Sequence, residues 1–114
     1  MSTSQMSYAE SVEIKRVLQS VLRLLESPDR WTRAAAARTS NGSVVGPMDI
    51  RAVRWCLSGA VRRCLPKGHL YQIFACLRTQ LPSSHHKLID FNDALGTTHE
   101  DVVALLKRAI AGCE

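Results

Sequence analysis

The amino-acid sequence predicts a mostly α-helical fold: a compact bundle of four helices with a short β-hairpin between the first and the second. Three observations lead there. Apolar residues recur at three- and four-residue spacing in four separate stretches. Pro28, Pro66 and Pro82 each stand just beyond one of those stretches, where a proline stops a helix. Asn41-Gly42, a strong two-residue hairpin signal, falls between the first stretch and the second.

The chain has 114 residues, of which 46% are hydrophobic, enough for one domain with a modest core. Residues 1–6 are polar and read as a disordered tail; residues 7–114 read as a single helical domain. No stretch approaches the roughly 20 apolar residues of a membrane span. The N-terminal residues lack the apolar core of an export signal, so the expected setting is cytoplasmic, without membrane contact.

Ser7-Tyr8-Ala9-Glu10 has the form of a capping box and starts the first helix, which the spacing carries to about Glu26. Ile14, Val17, Leu18, Val21, Leu22, Leu24 and Leu25 are its apolar positions. The next stretch carries two opposed signals. Ala34 to Ala37 favour a helical turn by propensity, whereas Asn41-Gly42 followed by Ser43-Val44-Val45 favours strands. A hairpin of roughly 32–38 and 43–46 is the expectation, anchored on a helix by Trp31.

The second helix is read as the centre of the chain, from an N-cap at Asp49 to Leu65. Val53, Cys56, Leu57, Ala60, Cys64 and Leu65 share its inner face, and Arg51, Trp55, Ser58 and Arg62 the opposite one. Gly59 costs helix stability, so it marks a close approach by another backbone, expected to be a crossing helix. After Lys67-Gly68 a third helix is expected from His69 to about Gln80, with Leu70, Ile73, Phe74, Leu77 and Leu81 inward. Residues 83–96 read as a loop pinned by Leu88 and Phe91, with Asn92 and Asp93 bonding nearby backbone amides. The last helix starts after Thr97 or Thr98, buries Val102, Leu105, Leu106, Ala109 and Ile110, and carries Lys107 and Arg108 toward its end to complement the helix dipole.

Charge is unevenly spread. Residues 30–67 hold eight basic side chains against one acid, Asp49, a net +7; the remainder holds seven basic and nine acidic groups, a net −2. Trp31 and Trp55 lie within that basic stretch. Tryptophan and arginine are enriched at binding hot spots, which makes Trp31, Arg33, Arg51, Arg54, Trp55, Arg62 and Arg63 the candidate interaction surface. Two kinds of partner fit such a surface: a protein, and nucleic acid held by electrostatics.

Catalytic and metal chemistry find less support. The four cysteines, Cys56, Cys64, Cys76 and Cys113, form no Cys-x-x-Cys pair and read as reduced thiols, with Cys113 exposed. His69, His85, His86 and His99 lack paired ligand spacing. No glycine-rich phosphate loop is present, and no residues flank Cys56 or Cys76 in the manner of a nucleophile turn. The expectation is a protein without enzymatic activity or cofactor.

Several segments occur together in order: Trp31-Thr32, Asn41-Gly42, Trp55-Cys56-Leu57-Ser58-Gly59-Ala60, Phe91-Asn92-Asp93 and Thr98-His99-Glu100-Asp101-Val102. That order resembles a family of small bacterial and phage-borne proteins classed only as a domain of unknown function, over about residues 10–112. The resemblance implies a compact bacterial domain that stands alone. It names no activity and carries no site residue over. The sequence thus leads to a small accessory or regulatory protein acting through protein–protein contact, with electrostatic nucleic-acid binding through residues 30–67 as the alternative.

Overall fold

The computed structural model describes residues 8–65 and 70–112. The tail at 1–6, Ser7 of the first capping box, Pro66, the Lys67-Gly68 connector, His69 and Cys113 lie outside the described residues. Among the described residues the chain is mostly helical, with α1 (Tyr8–Leu24), α2 (Leu57–Cys64), α3 (Leu70–Arg78), α4 (Leu88–Asp93) and α5 (His99–Gly112). Three two-residue strands, β1 (Ala37–Arg38), β2 (Val44–Val45) and β3 (Arg54–Trp55), form an antiparallel sheet in the order β2-β1-β3. Helix content agrees with the sequence, but its finer division does not: there is a fifth helix and a third strand.

The core is where the helical spacing puts it. Ile14, Leu18, Val21 and Leu25 of the first helical stretch are fully buried, and α1 packs on α5 and α2. α5 answers with Val102, Leu105 and Leu106, and α3 with Ile73 and Leu77. Burying each such side chain stabilises the fold by about 1.5–3 kcal/mol against leaving it in water. Pro28 does stop α1, and a single 3-10 turn, Pro28–Arg30, follows it. Thr98 caps α5 in a reciprocal box: its hydroxyl accepts from the Asp101 amide at 3.1 Å while the Asp101 carboxylate accepts from the Thr98 amide at 2.9 Å. Arg108 donates to the Gln80 carbonyl, at 3.1 Å, so it braces the end of α3 rather than its own helix.

The central helix is half the expected length. Val53 to Trp55 is extended: the Val53 amide donates to Arg38 O at 2.9 Å and the Cys56 amide to Ala36 O at 3.2 Å. A third strand therefore competes successfully with helix over residues that fit either period, because pairing with β1 satisfies these amides and buries Trp55. Val53 is consequently exposed instead of inward. Cys56 is the N-cap of α2, its sulfur accepting from the Gly59 amide at 3.2 Å. Asp49 caps a turn, not a helix: its carboxylate takes the Arg51 amide at 2.8 Å, and its carbonyl the Ala52 amide at 3.1 Å.

Gly59 does mark a close approach, but the neighbour is not a helix. A Cβ there would stand 2.9 Å from the Ala36 carbonyl carbon and closer still to its oxygen. The backbone entering β1 crosses directly over α2. The stretch before β1 is irregular instead of strand, and Ala34 has a left-handed φ of 63°. The expected loop at 83–96 contains α4, missed because six residues are too few for a clear period.

Candidate interaction surface

The seven candidate residues separate into three groups. Trp31 and Arg33 belong to the first, which is organised by Asn92. Asn92 is 1% exposed and uses its whole hydrogen-bonding capacity. Its Oδ1 accepts from Trp31 Nε1 at 2.7 Å and from the Leu57 amide at 3.0 Å. Its Nδ2 donates to Thr32 O at 3.1 Å and to Asp93 Oδ1 at 2.9 Å. Asp93 in turn accepts from the Ala34 amide at 3.0 Å, which holds the left-handed residue in place. The Arg33 guanidinium lies 4.6 Å over the Trp31 ring and donates to Thr97 O, while its Nε is buried without a partner among the described residues. His99 donates through Nε2 to Leu25 O at 2.6 Å, since a carbonyl can only accept, and so ties the start of α5 to the end of α1. This group fastens α4 and α5 to the chain entering the sheet.

Arg51, Arg54, Trp55 and Arg63 form the second group, around the loop at 46–53. Trp55 is 4% exposed, and its Nε1 donates to Pro47 O at 3.1 Å. Arg63 reaches up from α2, stacks 5.4 Å from the Trp55 ring, and donates to Pro47 O and Asp49 O, both at 3.2 Å. Arg51 pairs with the Asp49 carboxylate at 2.9 Å. The Arg51 side chain and backbone bonds hold the Asp49 carboxyl down at about 2, from an ordinary 3.8. Arg54 donates to Thr39 O and Ser40 O, so it braces the β1–β2 turn. Beside it Arg38 binds Thr32 Oγ1, Gly42 O and Arg33 O. Four arginines of the basic stretch, at 33, 38, 54 and 63, thus spend donors on backbone carbonyls of loops.

What this anchored loop presents outward is apolar. Ile50 is 93% exposed and Met48 52%, and Val44 and Val53 on either side are also exposed. Sequence reasoning missed Met48 and Ile50 as candidates because it placed Ile50 inside a helix. The signal was there: two large apolar residues among the turn formers Gly46, Pro47 and Asp49.

Arg62 stands apart, in the third group. Its guanidinium lies 5.8 Å over Phe74, and on the same stripe of α3 Arg78 lies 6.0 Å over the exposed Tyr71. The cysteines offer little: Cys56 is buried as an N-cap, and burial pushes the Cys64 thiol up, away from the thiolate. Among the described residues no three histidine, cysteine or acidic side chains gather to hold a metal, and no helix is long and apolar enough to cross a membrane.

Residues 9–112 match the family of unknown function DUF6197, and the chain belongs to that family. No curated protein and no solved structure shows a significant similarity to it.

Proposed function

We propose that this member of DUF6197 is a small non-enzymatic accessory protein that acts by protein contact through the loop at 46–53. The reading keeps the bacterial, cytoplasmic setting expected from the sequence. One observation carries it: Ile50 and Met48 stand in solvent on a loop whose carbonyls at Pro47 and Asp49 are tied down by Trp55 and Arg63. An isolated exposed apolar residue is ordinary, but two on a pre-ordered loop lower the ordering cost of binding. Trp55, Arg63 and Arg51 then act as supports, and Met48 and Ile50 as the contact. The surrounding positive charge favours a partner whose apolar pocket is rimmed by acidic groups.

The test is a photo-crosslinking residue placed at Ile50 and, as control, at Lys107, followed by reconstitution with the purified captured protein. Ile50→Asp is expected to weaken that complex roughly tenfold or more while leaving Tm unchanged. Equal crosslinking from both positions, or unaltered affinity of Ile50→Asp, contradicts the reading.

A second reading, nucleic-acid binding, draws on the stripe of Arg62, Phe74, Tyr71 and Arg78. Neither Arg62 nor Arg78 donates to a carbonyl or carboxylate among the described residues, and Tyr71 offers an exposed ring for stacking. It requires binding to single-stranded nucleic acid that weakens linearly in log salt and is lost in Arg62→Ala with Arg78→Ala. Binding unaffected by that pair of changes removes it.

A further inference from the structure

The sheet has two outer edges, β3 and β2, and they end differently. Beyond β3 the edge is covered: Trp31 bridges Trp55 in parallel, and the Thr32 amide donates to Trp55 O at 3.1 Å. Beyond β2 no strand follows among the described residues. The direction of the β2 backbone groups follows from β1. Arg38 O accepts from the Val53 amide at 2.9 Å, so Arg38 turns its backbone toward β3, while the Thr39 amide donates to Ser43 O at 2.9 Å on the β2 side. Val44 stands opposite Arg38 without exchanging bonds with it, and therefore turns its own N–H and C=O off the free edge.

An open edge is a template for a further strand, and proteins guard it with charges, prolines or a covering segment. β2 carries two valines instead, and Val44 is 64% exposed. One outward N–H and one outward C=O are too few to hold a visiting segment alone, so side chains must select it. Register decides their chemistry. Residues opposite one another across strands share a face, which sets Val44, Arg38 and Arg54 side by side. Both arginines bond neutral oxygens: Arg38 takes Thr32 Oγ1, Gly42 O and Arg33 O, and Arg54 takes Thr39 O and Ser40 O. Among the described residues no carboxylate bonds either guanidinium, so the face beside the open edge keeps its positive charge.

We infer that the β2 edge takes a fourth strand, an extended acidic segment of a partner protein that pairs with Val44 and turns carboxylates toward Arg38 and Arg54. A second copy of this chain is the poorer occupant. Pairing β2 with β2 would bring two such arginine faces together, each within a stretch of net +7. The inference rests on the docking reading, because β2 runs directly into the loop at 46–53, and it gives the partner's segment its form.

The test is NMR of the full chain titrated with a capped peptide of about seven residues alternating glutamate and valine, and with its counterpart carrying lysine for glutamate. The glutamate peptide is expected to half-saturate at about 1 mM or below. It is also expected to slow hydrogen exchange of the Val44 amide at least roughly tenfold, since that N–H gains an acceptor. The lysine peptide is expected to bind at least roughly tenfold more weakly. Val44→Pro removes the outward N–H without breaking a bond to β1, and is expected to cost the glutamate peptide a similar factor; Val44→Thr, which keeps the N–H, is expected to bind as the wild type does. Should Val44→Pro disturb the sheet, exchange at Val44 in the wild type still decides. Binding that leaves that exchange unchanged, equal binding of the lysine peptide, or no saturation by about 10 mM each overturns the inference. So does protection of Val44 that rises with protein concentration alone, the mark of a second copy. Ile50→Asp separates the two readings. Val44 protected by the peptide in that variant as in the wild type supports the edge whatever becomes of the loop, whereas an Ile50-dependent complex with no peptide effect at Val44 overturns the edge alone.

Discussion

The indole Nε1 of Trp31 donates to Asn92 Oδ1 at 2.7 Å, joining residues 61 positions apart in the chain. The same oxygen takes the Leu57 amide, so one buried side chain links the entry to the sheet, the start of α2 and the end of α4. Exchanging Asn92 for leucine keeps the bulk and strands Trp31 Nε1, the Leu57 amide and Thr32 O. At about 1–3 kcal/mol for each stranded group, the expected loss is about 3–5 kcal/mol after relaxation. Asn92→Asp is expected to be at least as costly at neutral pH, since a carboxylate oxygen would then face Thr32 O and Asp93. Urea denaturation measures both; a loss below about 1 kcal/mol in either would show that the network contributes little.

Gly59→Ala sets two effects against each other. Alanine gains up to about 1 kcal/mol in helix propensity. The added Cβ meets the Ala36 carbonyl, which is backbone and already holds the Cys56 amide, so it cannot yield cheaply. The clash wins, and the variant is expected to lose about 2–3 kcal/mol or more net. A thermal melt above that of the wild type would contradict the crossing.

Ala34→Gly has the opposite sign from glycine substitutions elsewhere. At a φ of 63° the alanine carries left-handed strain that glycine does not. The greater freedom of glycine in the unfolded chain offsets part of that gain. The expected outcome is a protein between unchanged and about 1 kcal/mol more stable by denaturant melt, where an ordinary site would lose a similar amount.

The Asp49–Arg51 contact should persist well into acid. A carboxyl held down from 3.8 to about 2 contributes stability that is present above its unfolded value and lost as pH falls through the folded one. The loop at 46–53 is therefore expected to keep this contact at pH 4 and release it toward about 2. NMR titration of the Asp49 carboxyl reads the midpoint directly. In Arg51→Gln it is expected to move up toward 3.8; a wild-type midpoint already there would contradict the pairing.

The sequence by itself determined the helical class, the burial of α1, α3 and α5, and a start of α5 after Thr97 or Thr98, between which the structure chose Thr98. Those features rest on local periodicity, capping and proline chemistry, which need only neighbours within a turn or two. Asn92 and Asp93 were legible as backbone-binding side chains, but not that their partners, Leu57 and Ala34, lie 35 and 59 residues away. The central stretch went the other way. Residues 51–56 suit a helix by spacing, and they became strand and cap because Ala36 and Arg38 carbonyls sat within reach of the Cys56 and Val53 amides. The same long-range bonding decided the fate of the basic segment. Sequence shows where arginines are, while only tertiary structure shows which loop carbonyls they satisfy, and hence that Arg63 braces the loop from which Ile50 projects while Arg38 and Arg54 brace the β1–β2 turn.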